Sequence, residues 1–135
     1  MFPFDRIELR GLVITTIIGT LPHERTLAQP LQIDLSLFVN LRQAGQSDDL
    51  GDTVHYGEVT ERVAQVVRGA QDRLLERLAE RVAESVLAMP RVEAVEVTVA
   101  KLRPPVPEQL HSTAVHILRH RRDYPVQAPP KSLSS

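Results

Sequence analysis

The hydrophobic pattern predicts an α+β domain in which a four-stranded antiparallel sheet carries two helices on one face. Three observations lead there. Two alternating, β-branched stretches open the chain, two stretches with i, i+4, i+7 spacing follow, and alternation returns near the end. Two helices cover only one face of such a sheet. The other face and both edge strands then need charged protection or a second copy of the chain, and self-association is the expected solution.

Taken in order, RIELRGLVITTIIG (6–19) is β-branched, places Ile7 and Leu9 on one side, and reads as one long strand with Gly11 as a bulge or bend. TLPHERTLAQP (20–30) reads as a polar connection. In LQIDLSLFVNL (31–41), Ile33, Leu35, Leu37, Val39 and Leu41 share a face opposite Gln32, Asp34, Ser36 and Asn40, which makes a half-buried strand. Val59, Val63, Val66 and Val67 give an amphipathic helix over 56–68. GAQD (69–72) breaks it, and Asp72 is the expected N-cap of a second helix over 74–89, striped by Leu75, Leu78, Ala79, Val82 and Val86 and stopped by Pro90. In VEAVEVTVAKL, Val95, Val97 and Val99 oppose Glu96, Thr98 and Ala100, and a last strand follows over 114–121. One domain over 1–121 is expected, and the proline- and serine-rich stretch 122–135 is expected to be disordered. The order is β-β-α-α-β-β.

Composition narrows the function. A chain of 135 residues with formal net charge −1 and intermixed acids and bases lacks the basic face of a nucleic-acid module. Aromatic residues make up 4%, too few for stacking on bases to dominate. With no cysteine, disulfides, thiolate nucleophiles and Cys-ligated zinc are excluded. The start, MFPFDRIELR, carries charges where a signal peptide needs apolar residues, and no stretch has the length of a membrane span, so a soluble cytoplasmic protein is the expectation.

DTVHYGEV (52–59) puts two proton-transfer groups, His55 and Tyr56, at the junction between an acidic loop and a helix. Each candidate has a plain structural reading beside the chemical one. Tyr56 suits a packed aromatic and His55 a helix cap. Glu76, in a first helical turn, is stabilised by the helix dipole in any case, and it borders the apolar stripe about 100° round the helix from Leu75. Glu24 is a loop acid, and Lys101 at a strand end can snorkel. Asp48, Asp49 and Asp52 suit turns and caps. His116 and His120 sit four apart in a strand, a poor metal pair, while His23 and His111 supply no zinc spacing.

The combination is more specific than its parts. GTLPHER (19–25), a following Gln29, SDDLGDTVHYGEV (47–59), LLERLAERVAESVL (74–87) and KLRPPVP (101–107), in this order, closely resemble the dihydroneopterin aldolase family of folate biosynthesis over about 6–121. The resemblance implies the tunnelling fold, or T-fold, in which ββααββ subunits join sheets into a multimeric barrel ring. Two stacked tetrameric rings commonly make an octamer, with active sites at subunit interfaces. It implies a pterin substrate, no cofactor and no metal. Residue by residue, it implies Lys101, Tyr56 and Glu24 as catalytic groups and Glu76 as the pterin anchor. The backbone of Leu75 would support that anchor, with that of Thr53, Val54 and His55 coming from the neighbouring subunit. Two departures stand out: Lys101 is followed by Leu102 and Arg103 rather than directly by proline, and Ile18 stands where many relatives have histidine.

Two alternatives stay open at this stage. A related epimerase of dihydroneopterin triphosphate would need added positive charge, for which Arg103 and Arg25 are candidates. A non-catalytic T-fold assembly protein binding pterins or purines would have no need of Tyr56, Glu76 and Lys101 together.

Overall fold

The computed structural model describes residues 5–124. Its elements run β1 (Arg6–Thr16), α1 (Pro22–Thr26), β2 (Gln29–Phe38), α2 (Arg42–Ser47), α3 (Tyr56–Gly69), α4 (Leu75–Leu87), β3 (Ala94–Lys101) and β4 (Thr113–His120), with 3-10 turns at Leu50–Asp52 and Arg121–Asp123. The sheet is antiparallel throughout, in the order β1-β2-β3-β4. The ββααββ order therefore holds, with two short helices added. Five-residue α1 and six-residue α2 are too short to repeat a helical period, so neither shows in the hydrophobic pattern. Strand ends also move inward: the first strand stops at Thr16 rather than 19, and the second at Phe38 rather than 41.

The alternation assigns the faces. Leu31, Ile33, Leu35 and Leu37 of β2 and Val95, Val97 and Val99 of β3 are fully buried beneath Val59, Val63 and Val67 of α3 and Leu78, Val82 and Val86 of α4. Each such side chain stabilises the fold by about 1.5–3 kcal/mol. Between Leu9 and Leu12 the β1–β2 register shifts. Gly11 takes φ +75 there, and its N–H is satisfied by Asp34 Oδ1 at 2.6 Å. That extra residue keeps Leu12 and Ile14 on the same face as Ile7 and Leu9.

No described element covers the opposite face. Arg10 reaches across it to Ser36 Oγ (2.8 Å) and the Leu35 carbonyl (3.1 Å), and His116 contacts Thr98 Oγ1 (2.6 Å) and Glu96 (3.3 Å). The outer edges of β1 and β4 pair with no further strand among the described residues.

One capping expectation is overturned. The N-cap of α4 is Leu74, without a side-chain cap, and the Asp72 carboxylate instead pairs with Arg81 at 3.2 Å. A charged partner arriving from α4 outcompetes the local cap. Arg121 and Tyr124, at the expected domain limit, still pack against the fold, Arg121 through the Val92 and Met89 carbonyls. Most of the stretch expected to be disordered, 125–135, lies outside the described residues. Among the described residues no helix is long and apolar enough to cross a membrane.

Candidate active site

At one end of the sheet the chain builds a buried ion pair. Lys101 closes β3 opposite Leu31, and α1 swings Glu24 over that end. Lys101 Nζ lies 2.8 Å from Glu24 Oε2, with side-chain exposures of 12% and 4%. Gln29 Nε2 donates to the same oxygen (3.1 Å) and to the Ile18 carbonyl (2.9 Å), while the Leu21 N–H donates to Oε1 (3.3 Å). Burial by itself would push the Glu24 carboxyl up. The hydrogen bonds from Lys101, Gln29 and Leu21, with the Lys101 charge, outweigh that and hold it below its ordinary value of 4.5. Glu24 is thus a carboxylate at neutral pH, and the plain readings of a loop acid and a snorkelling lysine both fall.

Gly19 makes this possible. It adopts φ +123, and a Cβ placed on it would overlap the Glu24 carboxylate. Only glycine meets both demands. The Gly19 segment is in turn tied to the α3–α4 linker: its N–H donates to the Asp72 carbonyl (3.4 Å), and Arg25 donates to the carbonyls of Gly19 (2.9 Å), Asp72 (3.0 Å) and Gln71 (2.7 Å). Arg25 therefore does not present its guanidinium to a phosphate, as the epimerase alternative would ask. Arg103 remains exposed.

That linker leads into α4. A short connection returns α4 antiparallel onto β3, so the first turn of α4, with buried Leu75 and exposed Glu76, lies at the Lys101 end of the sheet. Glu24, Lys101, Leu75 and Glu76 thus share one end.

Thr53, Val54, His55 and Tyr56 do not. They line an apolar cleft of about 660 Å³ with Ile7, Leu41 and Leu50. Ile7 pairs with Leu37, whereas Lys101 pairs with Leu31 on the same strand. Six residues of β2 separate these positions, about 20 Å. Tyr56 is 65% exposed at the start of α3, not packed. His55 is the N-cap of that helix, with Nδ1 accepting from the Glu58 N–H at 3.3 Å, so its plain reading as a cap is correct. Within one chain the phenol and the ion pair cannot meet. The sequence placed Gln29 in the motif set without a role and offered Arg25 only as a charge for a phosphate; the structure instead has Gln29 donating to Glu24 and Arg25 donating to three backbone carbonyls.

A ββααββ subunit with a carboxylate–ammonium pair buried at one end of its sheet has the element order that the resemblance to the T-fold implies. The comparisons with known proteins narrow this. The family described as FolB, dihydroneopterin aldolase, matches residues 7–118, and the chain belongs to that family. A dihydroneopterin aldolase of Streptomyces coelicolor is 42% identical over 117 residues, spanning 87% of this chain and 98% of that one. The Escherichia coli dihydroneopterin aldolase, solved in complex with neopterin, superposes with a TM-score of 0.79 at 33% identity, covering 86% of this chain and 99% of that one. A Burkholderia dihydroneopterin aldolase bound to guanine gives 0.72 at 29% identity over 86% and 90% of the two chains. The chain is accordingly an aldehyde-lyase, and the names of these relatives favour cleavage over the epimerase alternative.

Proposed function

We propose that this chain cleaves 7,8-dihydroneopterin into 6-hydroxymethyl-7,8-dihydropterin and glycolaldehyde at a site completed by a second copy of itself. The observation that carries the proposal is the division of the candidate groups. Glu24, Lys101 and Glu76 occupy one end of the sheet, and the Thr53–Tyr56 cleft occupies the other. A neighbour that brings its cleft over the ion pair makes one pocket from two incomplete halves. Exposed Leu21, Leu27, Leu74, Leu50 and Tyr56 suit burial by that neighbour. The open β1 and β4 edges suit sheets joined into a ring, with the polar face of Arg10, Asp34, Glu96 and His116 lining its lumen. Four-membered rings stacked as an octamer and a cytoplasmic location accompany this reading.

Neopterin and guanine share a 2-amino-pyrimidinone edge with adjacent N–H donors, and the Glu76 carboxylate can accept two of them in parallel. Such charge-assisted bonds contribute on the order of 1.5–3 kcal/mol each. With the ring anchored, the trihydroxypropyl chain points at Glu24 and Lys101. The 2′-hydroxyl loses its proton through that pair, directly or by way of a water, and the C1′–C2′ bond breaks. C2′ leaves as the aldehyde carbon of glycolaldehyde, and the bond's electrons pass into the ring C=N. Tyr56 of the neighbour then returns a proton to C1′. Lys101 supplies charge stabilisation as well as proton transfer, a pairing worth roughly 10²–10⁴-fold in rate.

Two experiments test this. Incubated with 7,8-dihydroneopterin, the protein releases glycolaldehyde; Lys101→Ala loses turnover but keeps pterin binding, and Glu76→Ala loses binding. If both variants keep near-wild-type rates, the assignment of roles is wrong. Co-expressing Tyr56→Phe with Lys101→Ala, each slow alone, restores about one quarter of wild-type activity, since that share of randomly assembled interfaces carries both native groups. No restoration would place the whole site within one chain.

A further inference from the structure

We infer that Arg25 is a positioning residue that sets the separation between the Glu24–Lys101 pair and the Glu76 end of α4; the inference rests on the site proposed above. Its guanidinium joins two segments far apart in sequence. One nitrogen donates to the Gly19 carbonyl (2.9 Å) and the Asp72 carbonyl (3.0 Å), and the other to the Gln71 carbonyl (2.7 Å). On one side it grips the residue against which the Glu24 carboxylate lies, since no Cβ fits between Gly19 and that carboxylate. On the other side it grips the linker that ends at Leu74, the N-cap of the helix bearing Leu75 and Glu76.

Few other bonds hold this junction. The two segments share one long backbone bond, Gly19 N–H to the Asp72 carbonyl at 3.4 Å, and Thr16 Oγ1 reaches the Val67 carbonyl at 3.3 Å. Arg81 secures the far side, donating to the Val66 carbonyl and to Asp72 Oδ2. It attaches the linker to α4, not to the Glu24 loop. Removing Arg25 therefore leaves each half of the pocket folded and frees one to drift against the other. A planar fork of fixed N–H directions holds three carbonyls in a set geometry, which a single ammonium cannot reproduce.

The test uses full-length Arg25→Ala and Arg25→Lys, with Arg62→Ala as a control. Arg62 also bridges to a backbone carbonyl, that of Ser85 at 3.2 Å, but on the outer side of α3 and α4. Arg25→Ala is expected to lose roughly 10²-fold in kcat/KM for 7,8-dihydroneopterin, the scale of a 1 Å misplacement, with both kcat and neopterin affinity reduced. Arg25→Lys, which still reaches the carbonyl pair shared by one nitrogen, recovers part of the loss. Added guanidinium, below denaturing concentration, restores activity to Arg25→Ala several-fold and does nothing for Lys101→Ala. Arg62→Ala matches wild type at temperatures where it is folded. The inference is overturned if folded Arg25→Ala keeps wild-type kcat/KM, or if its activity falls only with its folded fraction and guanidinium restores none. Should Arg25→Ala not fold, Arg25→Lys decides alone: wild-type kcat and affinity overturn the inference. A wild-type chain without turnover sinks the site reading and this inference together, whereas an inactive Lys101→Ala beside an unaffected Arg25→Ala sinks only this one.

Discussion

Gly19→Ala is the sharpest single test of how the ion pair is held. At φ +123 an alanine pays backbone strain of about 1–3 kcal/mol. Its methyl would also overlap the Glu24 carboxylate, so that group must retreat from at least one of the donors at 2.8, 3.1 and 3.3 Å. A lost hydrogen bond to a charged group adds about 1.5–3 kcal/mol, which brings the total to about 2.5–6 kcal/mol. At about 3 °C per kcal/mol for a chain of this size, the melting temperature falls by roughly 8–18 °C. Turnover of the still-folded fraction falls roughly 10²-fold, because Glu24 is displaced. The control is Gly11→Ala. Its φ of +75 is also left-handed, but a Cβ there meets nothing within 4 Å. It carries only the strain, about 1–2 kcal/mol, and leaves the site alone. The assay is thermal unfolding at matched protein concentration, with kcat measured well below each midpoint. If Gly19→Ala behaves like Gly11→Ala in both readouts, the proposed fit between Gly19 and Glu24 is wrong.

Two further outcomes follow from buried polar groups. Glu24 has a folded-state pKa below its unfolded one, so its contribution to stability is complete above the ordinary glutamate value and is lost as pH falls through the lower folded value; denaturant midpoints followed from neutral to acid pH should show that loss in the wild type and a flatter profile in Glu24→Gln. The Tyr124 hydroxyl is buried with no hydrogen-bond partner among the described residues, so Tyr124→Phe should be neutral or more stable by up to about 1 kcal/mol, and a loss above that in chemical denaturation would mean the hydroxyl has a partner.

Much of this fold is legible in the order of its residues because burial imposes a period. The alternating valines of β3 and the spaced valines of α3 each announce a face, and those faces meet. Even the bulge shows itself, since Gly11 interrupts an otherwise continuous alternation. Legibility fails where a competing long-range contact decides. Asp72 has the chemistry of a helix cap, but Arg81 claims its carboxylate and Leu74 becomes the cap. The site itself is less legible still. Nothing local says that Glu24 and Lys101, 77 positions apart, share a proton-transfer distance. Only the ordered set of motifs brings those two residues up together, and although GTLPHER contains Arg25, nothing in the motif tells what it binds, because its partners are three carbonyls that any residue would supply.

The two ends of the site also differ in how ready they are. Lys101 and Glu24 are buried and mutually oriented in the isolated chain, so in the proposed reaction their field would act on the hydroxyl without reorganisation. Glu76 is exposed in the isolated chain, where water competes for the same lone pairs and weakens any grip on a heterocycle. A covering neighbour changes that balance, because excluding water from the carboxylate makes pairing with the pterin edge the alternative to an unsatisfied buried charge. In the proposed assembly, binding strength depends on the covering neighbour, while the geometry of the Lys101–Glu24 pair does not. Diluting the protein until the proposed assembly dissociates should therefore abolish pterin affinity while leaving the Lys101–Glu24 pair intact, as judged by an unchanged acid transition of the folded monomer. A dissociated chain that still binds neopterin with full affinity would mean that Glu76 needs no cover.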